Sequence, residues 1–343
     1  MAEAATPPAK AKRKRVNLQK YLNHATTFEQ ILREANDAYS KEEDIPQIIK
    51  RLDAEWWGEI QQAHEWTAEY SAENDEAARL CSSYPFVGEL LVYLRLPPSE
   101  RIRWGEAALA AARRIRDRHA EAAHLHKLAM AYIDLGKFQR AIPYLEEGAA
   151  INHDIQRPEY EAADLGGLGL ACAGLEDHRR AIHFYDEALA IYRVTPDARW
   201  GEGIYLSNLA ESWRAMGDAP KAIALHQEAL KINRDVKDRR SEGYTLGNLG
   251  KAYASLGDHE RALKKFKESL DVARDSNDQQ CEGYSLFETS RSLWALGRCK
   301  DAIETAEQAL SIFIRIEDFY AKRTRKQLEE WRNQDNAKPA LDH

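Results

Sequence analysis

Paired histidines are the first residues in this sequence whose types could support chemistry. His124 and His126 are two residues apart, and His178 and His183 are five apart. A zinc protease of the HExxH type needs two histidines four residues apart on one helix face, with a glutamate as general base. Neither pair has that spacing, so the sequence predicts no metal centre.

A glycine-rich stretch, GGLGLACAG from Gly166 to Gly174, is the second candidate, because glycine-rich loops can bind phosphate groups. The stretch lacks the GxGxxG order, no strand precedes it, and the sequence contains no GxxxxGK[ST] motif. The GxSxG elbow of a nucleophilic serine is also absent. We interpret these glycines as positions of close helix packing, and we predict no cofactor.

The thiols and carboxylates do not form a recognisable catalytic pattern either. Cys81, Cys172, Cys281 and Cys299 occur without a CxxC pair, which argues against a zinc ribbon and a disulfide framework. With 56 Asp and Glu residues in 343, no catalytic carboxylate pair can be distinguished from solvated helix faces. The sequence therefore predicts that the protein is not an enzyme.

An internal repeat identifies the elements that must position any binding residues. Five similar segments follow one another in steps of 40, 41, 40 and 40 residues. A fixed period of this length indicates that each segment is one supersecondary unit of a repeat architecture. The segments begin at Leu125, Leu165, Leu206, Leu246 and Leu286.

The spacing inside each segment is helical. In the fourth segment Leu246, Leu249 and Tyr253 share one helix face, since they are three and four residues apart. A turn is predicted where glycine, or glutamate in the second segment, follows this helix. These turn residues are Gly136, Glu176, Gly217, Gly257 and Gly297.

A second helix follows each turn and is marked by an alanine that lets its backbone approach the first helix. The alanines are Ala141, Ala181, Ala222, Ala262 and Ala302, and we expect Tyr144, Tyr185 and Phe266 to fill the groove beside them. One helical hairpin cannot bury its apolar face alone. The hairpins must therefore stack into a solenoid with a concave inner surface.

The pattern L-x-x-L-G-x-x-Y-x-x-x-G-x-x-x-x-A-[IL]-x-x-[YF]-x-x-A-L resembles the tetratricopeptide repeat, in a form of about 40 residues. Five units run from about Glu121 to Arg315, and a degenerate sixth precedes them with Trp104, Ala108 and Leu109. The resemblance implies an all-α fold, a right-handed superhelical solenoid of tandem helical hairpins with N-terminal helices and a C-terminal capping helix.

The variant of the repeat found between Glu242 and Tyr253 looks most like the sensor repeats of bacterial signal-transduction ATPases of the STAND class. Residues 51–70 and 74–114 also resemble the helical segment that joins the ATPase module to those repeats. Since no nucleotide-binding motif is present, ATP hydrolysis is not implied. The resemblance is to the sensor part alone.

In a tetratricopeptide array the first helix of each hairpin lines the concave wall, so the resemblance also implies a set of groove residues. Amides bracket a peptide backbone, cations bind carboxylates, and rings receive apolar side chains. The alternative is that these positions form a solvated helix face, or that Tyr244 and Tyr284 pack between repeats. The set that some family members use to bind a C-terminal carboxylate is not reproduced. The predicted groove residues are Asn208, Glu211, Arg214, Tyr244, Asn248, Lys251, Tyr284, Phe287, Arg291 and Trp294.

The charge distribution is uneven. The net charge of −7 disfavours a protein whose whole surface attracts nucleic acid. Basic residues are concentrated near the N-terminus, where we predict a disordered arm over residues 1–25. The leading interpretation is a solvated tail with no specific role; a contact with nucleic acid or an acidic partner, and a nuclear address, are the alternatives. The residues concerned are Lys10, Lys12, Arg13, Lys14 and Arg15.

The remaining boundaries follow from the repeat. We predict an N-terminal helical segment over 26–77, the repeats over 78–318, a capping helix over 319–334 and a flexible tail over 335–343. Trp56, Trp57 and Trp66 are expected to pack in the core of the N-terminal segment. No apolar run is long enough to span a membrane and no secretory signal is recognisable, so we expect a cytoplasmic protein.

The leading functional hypothesis is a non-enzymatic adaptor or sensor that binds a protein or peptide in the concave groove. It would regulate a separately encoded effector enzyme, in signal transduction or bacterial defence. The alternatives are a peptide-controlled transcriptional regulator or nucleic-acid-contacting protein that uses the basic arm, and a subunit that occludes the active site of another protein.

Overall fold

The computed structural model describes residues 9–40, 50, 52–195, 198–316, 318 and 320–336. Every long element in these ranges is an α-helix, and a π-helical turn at Leu52–Trp56 precedes the second one. The helices are α1 (Ala9–Ser40), α2 (Trp57–Tyr70), α3 (Asp75–Val87), α4 (Glu89–Arg95), α5 (Pro98–Ile115), α6 (Arg118–Asp134), α7 (Phe138–Asp154), α8 (Pro158–Gly174), α9 (His178–Tyr192), α10 (Arg199–Ala215), α11 (Ala219–Asp235), α12 (Arg239–Ser255), α13 (His259–Asp275), α14 (Gln279–Ala295), α15 (Cys299–Arg315) and α16 (Tyr320–Asn336).

The predicted all-α fold of tandem helical hairpins is confirmed. The chain divides into two compact units, residues 1–167 and residues 168–343. No helix in the described part of the chain has both the length and the apolar composition needed to cross a membrane.

The N-terminus differs from the prediction. A disordered arm over 1–25 and a helix start near Thr26 are wrong for the described residues, because α1 already begins at Ala9. Leu22 and Ala25 are buried, which extends the helix backward, and Thr26 donates its hydroxyl to the carbonyl of Leu22 instead of capping a new helix. Residues 1–8 and the side chains of the predicted basic contacts Lys10, Lys12, Arg13, Lys14 and Arg15 lie outside the described part, so their role stays a prediction.

The core of the N-terminal helices is aromatic. Trp104 of α5 is almost fully buried, and the imidazole of His64 stacks on it with 3.8 Å between ring centroids. Trp56, Trp57 and Trp66 pack against this core, as predicted. Burial lowers the pKa of His64 to about 3, so its ring is neutral and acts as an apolar side chain.

The predicted packing positions of the repeat are the buried ones. The alanine that opens the second helix is fully buried in all five repeats, at Ala141, Ala181, Ala222, Ala262 and Ala302. The first leucine of the repeat is buried in four of them and half-buried at Leu165.

Left-handed residues end the helices at both kinds of turn. Within the hairpins Gly136, Gly217, Gly257 and Gly297 have φ between 67° and 90°, and Glu176 adopts 62° in the same place. Between hairpins the left-handed residue is not glycine; Arg116, Gln156, Lys237 and Asn277 have positive φ. An aspartate that caps the next helix follows three of these four, at Asp117, Asp238 and Asp278.

A glycine on the first helix faces a large ring on the second in two repeats of the second unit. A Cβ at Gly169 would meet the ring of Tyr185, and one at Gly250 would meet that of Phe266. The corresponding pairs elsewhere are Ala129 with Leu145, Ala210 with His226, and Ser290 with Ala306. Tyr144 was therefore predicted one residue out of register, because Leu145 holds the buried position.

Alanine substitutions at two glycines of α12 are expected to change stability in opposite directions. Gly250→Ala places a methyl group about 2.5 Å from the buried ring of Phe266. We expect it to lower the free energy of unfolding by about 1–3 kcal/mol through overpacking. At Gly247 the only close atom is Ser269 Oγ at 3.4 Å. Gly247→Ala should therefore raise stability by up to about 1 kcal/mol, the helix preference of alanine. Urea unfolding of both variants tests this pair, and an equal effect at the two positions would contradict it.

The predicted capping helix is α16. Trp331 is buried and stacks on Trp294 of α14, with ring centroids 4.8 Å apart. Leu328 lies in the same cluster. Although α16 is rich in charged residues, it has an apolar face that covers the last hairpin. Residues 337–343 lie outside the described part of the chain.

Candidate functional site

The first helices of three consecutive repeats lie side by side in the second unit, since α10 contacts α12 and α12 contacts α14. The 40-residue period then places equivalent side chains in columns that run across the helices. One column contains Asn208, Asn248 and Glu288, and the next contains Glu211, Lys251 and Arg291. All of these except Glu288 are among the predicted groove residues.

Glu211 is the centre of an ionic network in these columns. Its carboxylate accepts hydrogen bonds from Nε and Nη2 of Arg214, both at 3.1 Å, and from Nζ of Lys251 at 2.7 Å. Lys251 also donates to Oδ1 of Asn248 at 3.0 Å. The network therefore joins α10 to α12 through charge-assisted bonds.

A buried histidine supports this network from the second helix of the same hairpin. His226 of α11 is fully buried, with Nδ1 3.2 Å from Ser207 Oγ and Nε2 3.4 Å from Glu211 Oε1. Burial lowers the pKa of His226, against the opposing effect of Glu211. Burial alone would raise the pKa of Glu211, but Lys251, His226 and Arg214 together hold it well below its ordinary value.

A pocket of about 190 Å³ opens between α12, α14 and α16, and we call it the aromatic pocket. Tyr244, Tyr284 and Tyr320 form part of its wall, and the rings of Tyr284 and Tyr320 meet edge to face with centroids 4.7 Å apart. Burial raises the pKa of Tyr244 to about 12, so its hydroxyl stays protonated and donates to Gln280 at 3.3 Å. The other lining residues are Gly247, Asn248, Lys251, Phe266, Ser269, Cys281, Ser285 and Glu288.

A second and more polar pocket, of about 580 Å³, adjoins the first and shares Lys251, Glu288 and Tyr320 with it. We call it the basic channel, and the two pockets together the groove. Four cations and one carboxylate line the channel. Its remaining lining residues are one histidine, His259, and the uncharged side chains of Ala254, Ser255, Ser292, Ala295 and Tyr320. The charged ones are Arg214, Lys251, Arg291, Arg323 and Glu288.

The charge of the channel differs in sign from that of the whole chain. Even when the nearby carboxylate of Glu211 is counted, the cations exceed the carboxylates here, whereas the net charge of the chain is −7. Arg291 is paired with Glu288 at 3.0 Å. Among the described residues Arg323 has no carboxylate within 4 Å and lies instead over the rings of Tyr320 and Phe287. The channel is thus suited to an anionic group.

Seven of the ten predicted groove residues line these pockets or join the network, and three do not. Phe287 is only 1% exposed and belongs to the core between α14, α15 and α16, so its predicted place in the groove is wrong. Trp294 also lies outside both pockets, and its partly buried ring is stacked on Trp331 beneath the capping helix. Asn208 is half-buried and lies outside the lining of both pockets.

Among the residues of the site that sequence reasoning missed are Tyr320, Arg323 and His226. Tyr320 and Arg323 come from the capping helix, which has no counterpart in the repeat pattern. His226 could have been found, because the 40-residue period aligns it with the buried rings of Tyr185 and Phe266. A polar residue at an aromatic core position indicates a partner, and here that partner is Glu211.

The first helix of the earliest clear repeat uses its corresponding residues for internal bonds. His126 contacts the buried carboxylate of Asp164 at 2.8 Å, and Lys127 pairs with Glu89 at 3.0 Å. Across the described residues, no group of three or more histidine, cysteine and acidic side chains is placed to hold a metal ion.

Comparison with known proteins agrees with the repeat. Models of the tetratricopeptide repeat match residues 122–153 and 202–275. No curated protein matches the sequence significantly. These matches confirm the resemblance to the tetratricopeptide repeat that the sequence pattern predicts.

Solved structures of low sequence identity share the fold. The Rap conjugation gene regulator of plasmid pLS20, in complex with the Phr* peptide, is 17% identical with a TM-score of 0.57, over 92% of this chain and 81% of that one. Aspartyl phosphate phosphatase F from Bacillus subtilis is 14% identical with a TM-score of 0.55, over 96% and 81%.

A third similar structure bears on the predicted resemblance. It is a STAND protein with a tetratricopeptide repeat sensor from Pyrococcus horikoshii, 16% identical with a TM-score of 0.53. The match covers 92% of this chain and 52% of that one. The predicted resemblance to STAND sensor repeats is confirmed at the level of the fold.

The ionic network makes stability depend on pH. Glu211→Gln should lower the free energy of unfolding at pH 7 by about 1–3 kcal/mol, because it removes charge-assisted bonds. The folded-state pKa of Glu211 lies below its ordinary value of 4.5. Its contribution is therefore complete above pH 4.5 and is lost as the pH falls below that value. The difference between wild type and variant should shrink with it.

Urea unfolding at pH 7, 5 and 3.5 measures this effect. Glu304→Gln, an exposed position on α15, is the control and should differ little from wild type at each pH. A destabilisation by Glu211→Gln that is the same at pH 7 and pH 3.5 would contradict the role given to the ionised carboxylate.

Proposed function

We propose that this protein is a regulatory binding module that captures a peptide segment in the groove of its second unit. The observation that carries the proposal is the continuity of the aromatic pocket with the basic channel. A site that joins rings, amides and cations over three repeats suits an extended peptide, because the peptide presents side chains and backbone at intervals. The ligand is released unchanged in this proposal, so the protein acts without catalysis.

Similar structures support a peptide ligand. The pLS20 conjugation regulator is described in complex with a peptide, and another similar structure is a Rap protein complexed with Competence and Sporulation Factor. A further one carries the name of a phosphatase. For this chain we favour binding over catalysis, because Glu211 and Glu288 are engaged by Arg214, Lys251 and Arg291.

Binding becomes regulation when the ligand prefers one arrangement of the helices. The groove takes its residues from α10, α12, α13, α14 and the capping helix, so a ligand that touches several of them and prefers one arrangement changes the relative free energy of the arrangements. We propose that the effector is a separate protein that binds one arrangement more tightly.

Charge reversal in the channel tests this proposal. Arg291→Glu with Arg323→Glu changes two exposed side chains that line the channel. We expect the double variant to lose most of the partner that the wild type captures from native lysate, because the channel becomes anionic. Quantitative mass spectrometry of the captured proteins is the measurement.

The matched control carries the same change of charge elsewhere. Lys264→Glu with Lys267→Glu alters two exposed positions on α13 that lie outside both pockets. This control should retain the partner. A partner that the channel variant retains, or that both variants lose equally, would place binding outside the groove.

A further inference from the structure

The aromatic pocket exists because one position of the repeat, residue 247, carries no side chain. Position 247 is glycine, and a Cβ built there would meet only Ser269 Oγ within 4 Å. Small side chains complete that side of the pocket. Ser269 bonds to Ser285 at 2.8 Å and donates to the carbonyl of Gly243 at 2.7 Å, so both hydroxyls have partners within the protein.

The next repeat shows what such a position can hold. Forty residues after Gly247 lies Phe287, which is buried in a cluster with Ala309 and Phe313 and whose ring meets that of Tyr320 edge to face. Ala309 lies forty residues after Ser269 and is its equivalent in the next repeat. The same architecture therefore encloses an aromatic ring in one repeat and leaves the space open in the repeat before it.

The volume of the pocket limits what enters it. Small-molecule sites are commonly about 300–1,000 Å³. At about 190 Å³ the aromatic pocket is smaller and suits a single side chain. Tyrosine rings in its wall favour an aromatic guest through edge-to-face contacts.

We infer that the groove selects a peptide with an aromatic side chain followed or preceded closely by an acidic residue. The aromatic ring enters the space above Gly247, in the place that Phe287 takes one repeat later. The carboxylate binds in the basic channel at Arg291 and Arg323. This inference rests on the proposed function and specifies its ligand.

Arg323 is the better placed of the two arginines for an incoming carboxylate. It projects from α16 beside Tyr320, one of the three residues that both pockets share. Arg291 is held by Glu288 and contributes its remaining donors. A carboxylate here lies next to the mouth of the aromatic pocket, which is why the acidic residue must be near the aromatic one in sequence.

Selection from a random dodecapeptide library displayed on phage, with the full chain as target, tests the inference. We expect enriched peptides to pair Phe, Tyr or Trp with a nearby Asp or Glu. A fluorescein-labelled synthetic copy of the most enriched peptide is then titrated by anisotropy. Gly247→Phe should weaken binding about tenfold or more, because the ring of the protein fills the pocket.

A double-mutant cycle shows whether Gly247→Phe weakens binding because it fills the aromatic pocket or because it disturbs the protein in general. Replacing the aromatic residue of the peptide by alanine should weaken binding to the wild type but not further to Gly247→Phe. Replacing the acidic residue of the peptide by its amide should likewise weaken binding to the wild type but not further to the double variant Arg291→Gln with Arg323→Gln. Gly247→Ala leaves most of the space free and serves as the matched control.

The outcomes are distinguishable. Enriched peptides that lack the aromatic–acidic pair, or additive effects in both cycles, would overturn the ligand class while leaving peptide binding in place. A library that yields no enriched peptide would overturn the proposed function itself. If circular dichroism shows that Gly247→Phe does not fold, Gly247→Leu replaces it in the same cycle.

Discussion

The close approach of two helices within each hairpin is the constraint on which the rest of the structure depends. A single alanine near the start of the second helix is fully buried in every repeat, as at Ala222 and Ala262. A larger side chain there would separate the backbones and expose the apolar faces of both helices. Because this contact recurs with a 40-residue period, equivalent side chains on the first helices also recur, and they align in columns.

The volumes of the side chains at equivalent positions then decide which repeats are close-packed and which contain a gap. Where the first helix carries glycine, at Gly169 and Gly250, the second supplies a large ring that fills the gap. Gly247 has no such ring opposite it, only the hydroxyl of Ser269. An interior at close-packed density leaves few such gaps. A gap that opens toward the basic channel is therefore a good place for the side chain of a ligand.

The charges of the groove are organised around the partly buried carboxylate of Glu211 and the buried ring of His226. His226 takes a core position and contacts Glu211, and Glu211 in turn bonds to Arg214 and Lys251. Partly buried carboxylates are costly unless they are paired and hydrogen-bonded. The cations thus stabilise Glu211, and the arginines beyond it, on α14 and α16, leave the channel with a positive excess.

The sequence by itself determined the helical repeat, because a 40-residue period and a helical spacing are local properties that can be counted along the chain. Seven of the ten groove residues predicted from it line the two pockets or join the ionic network. The sequence could not show that Phe287 is buried and that the ring of Trp294 is partly covered, since the cover comes from α16, outside the repeat. It also misplaced the start of α1, whose length depends on Leu22 and Ala25 finding a core distant in sequence. Tertiary structure alone decided these points. Whether a residue is buried depends on which helix packs on its face, and that helix is distant from the residue in the sequence.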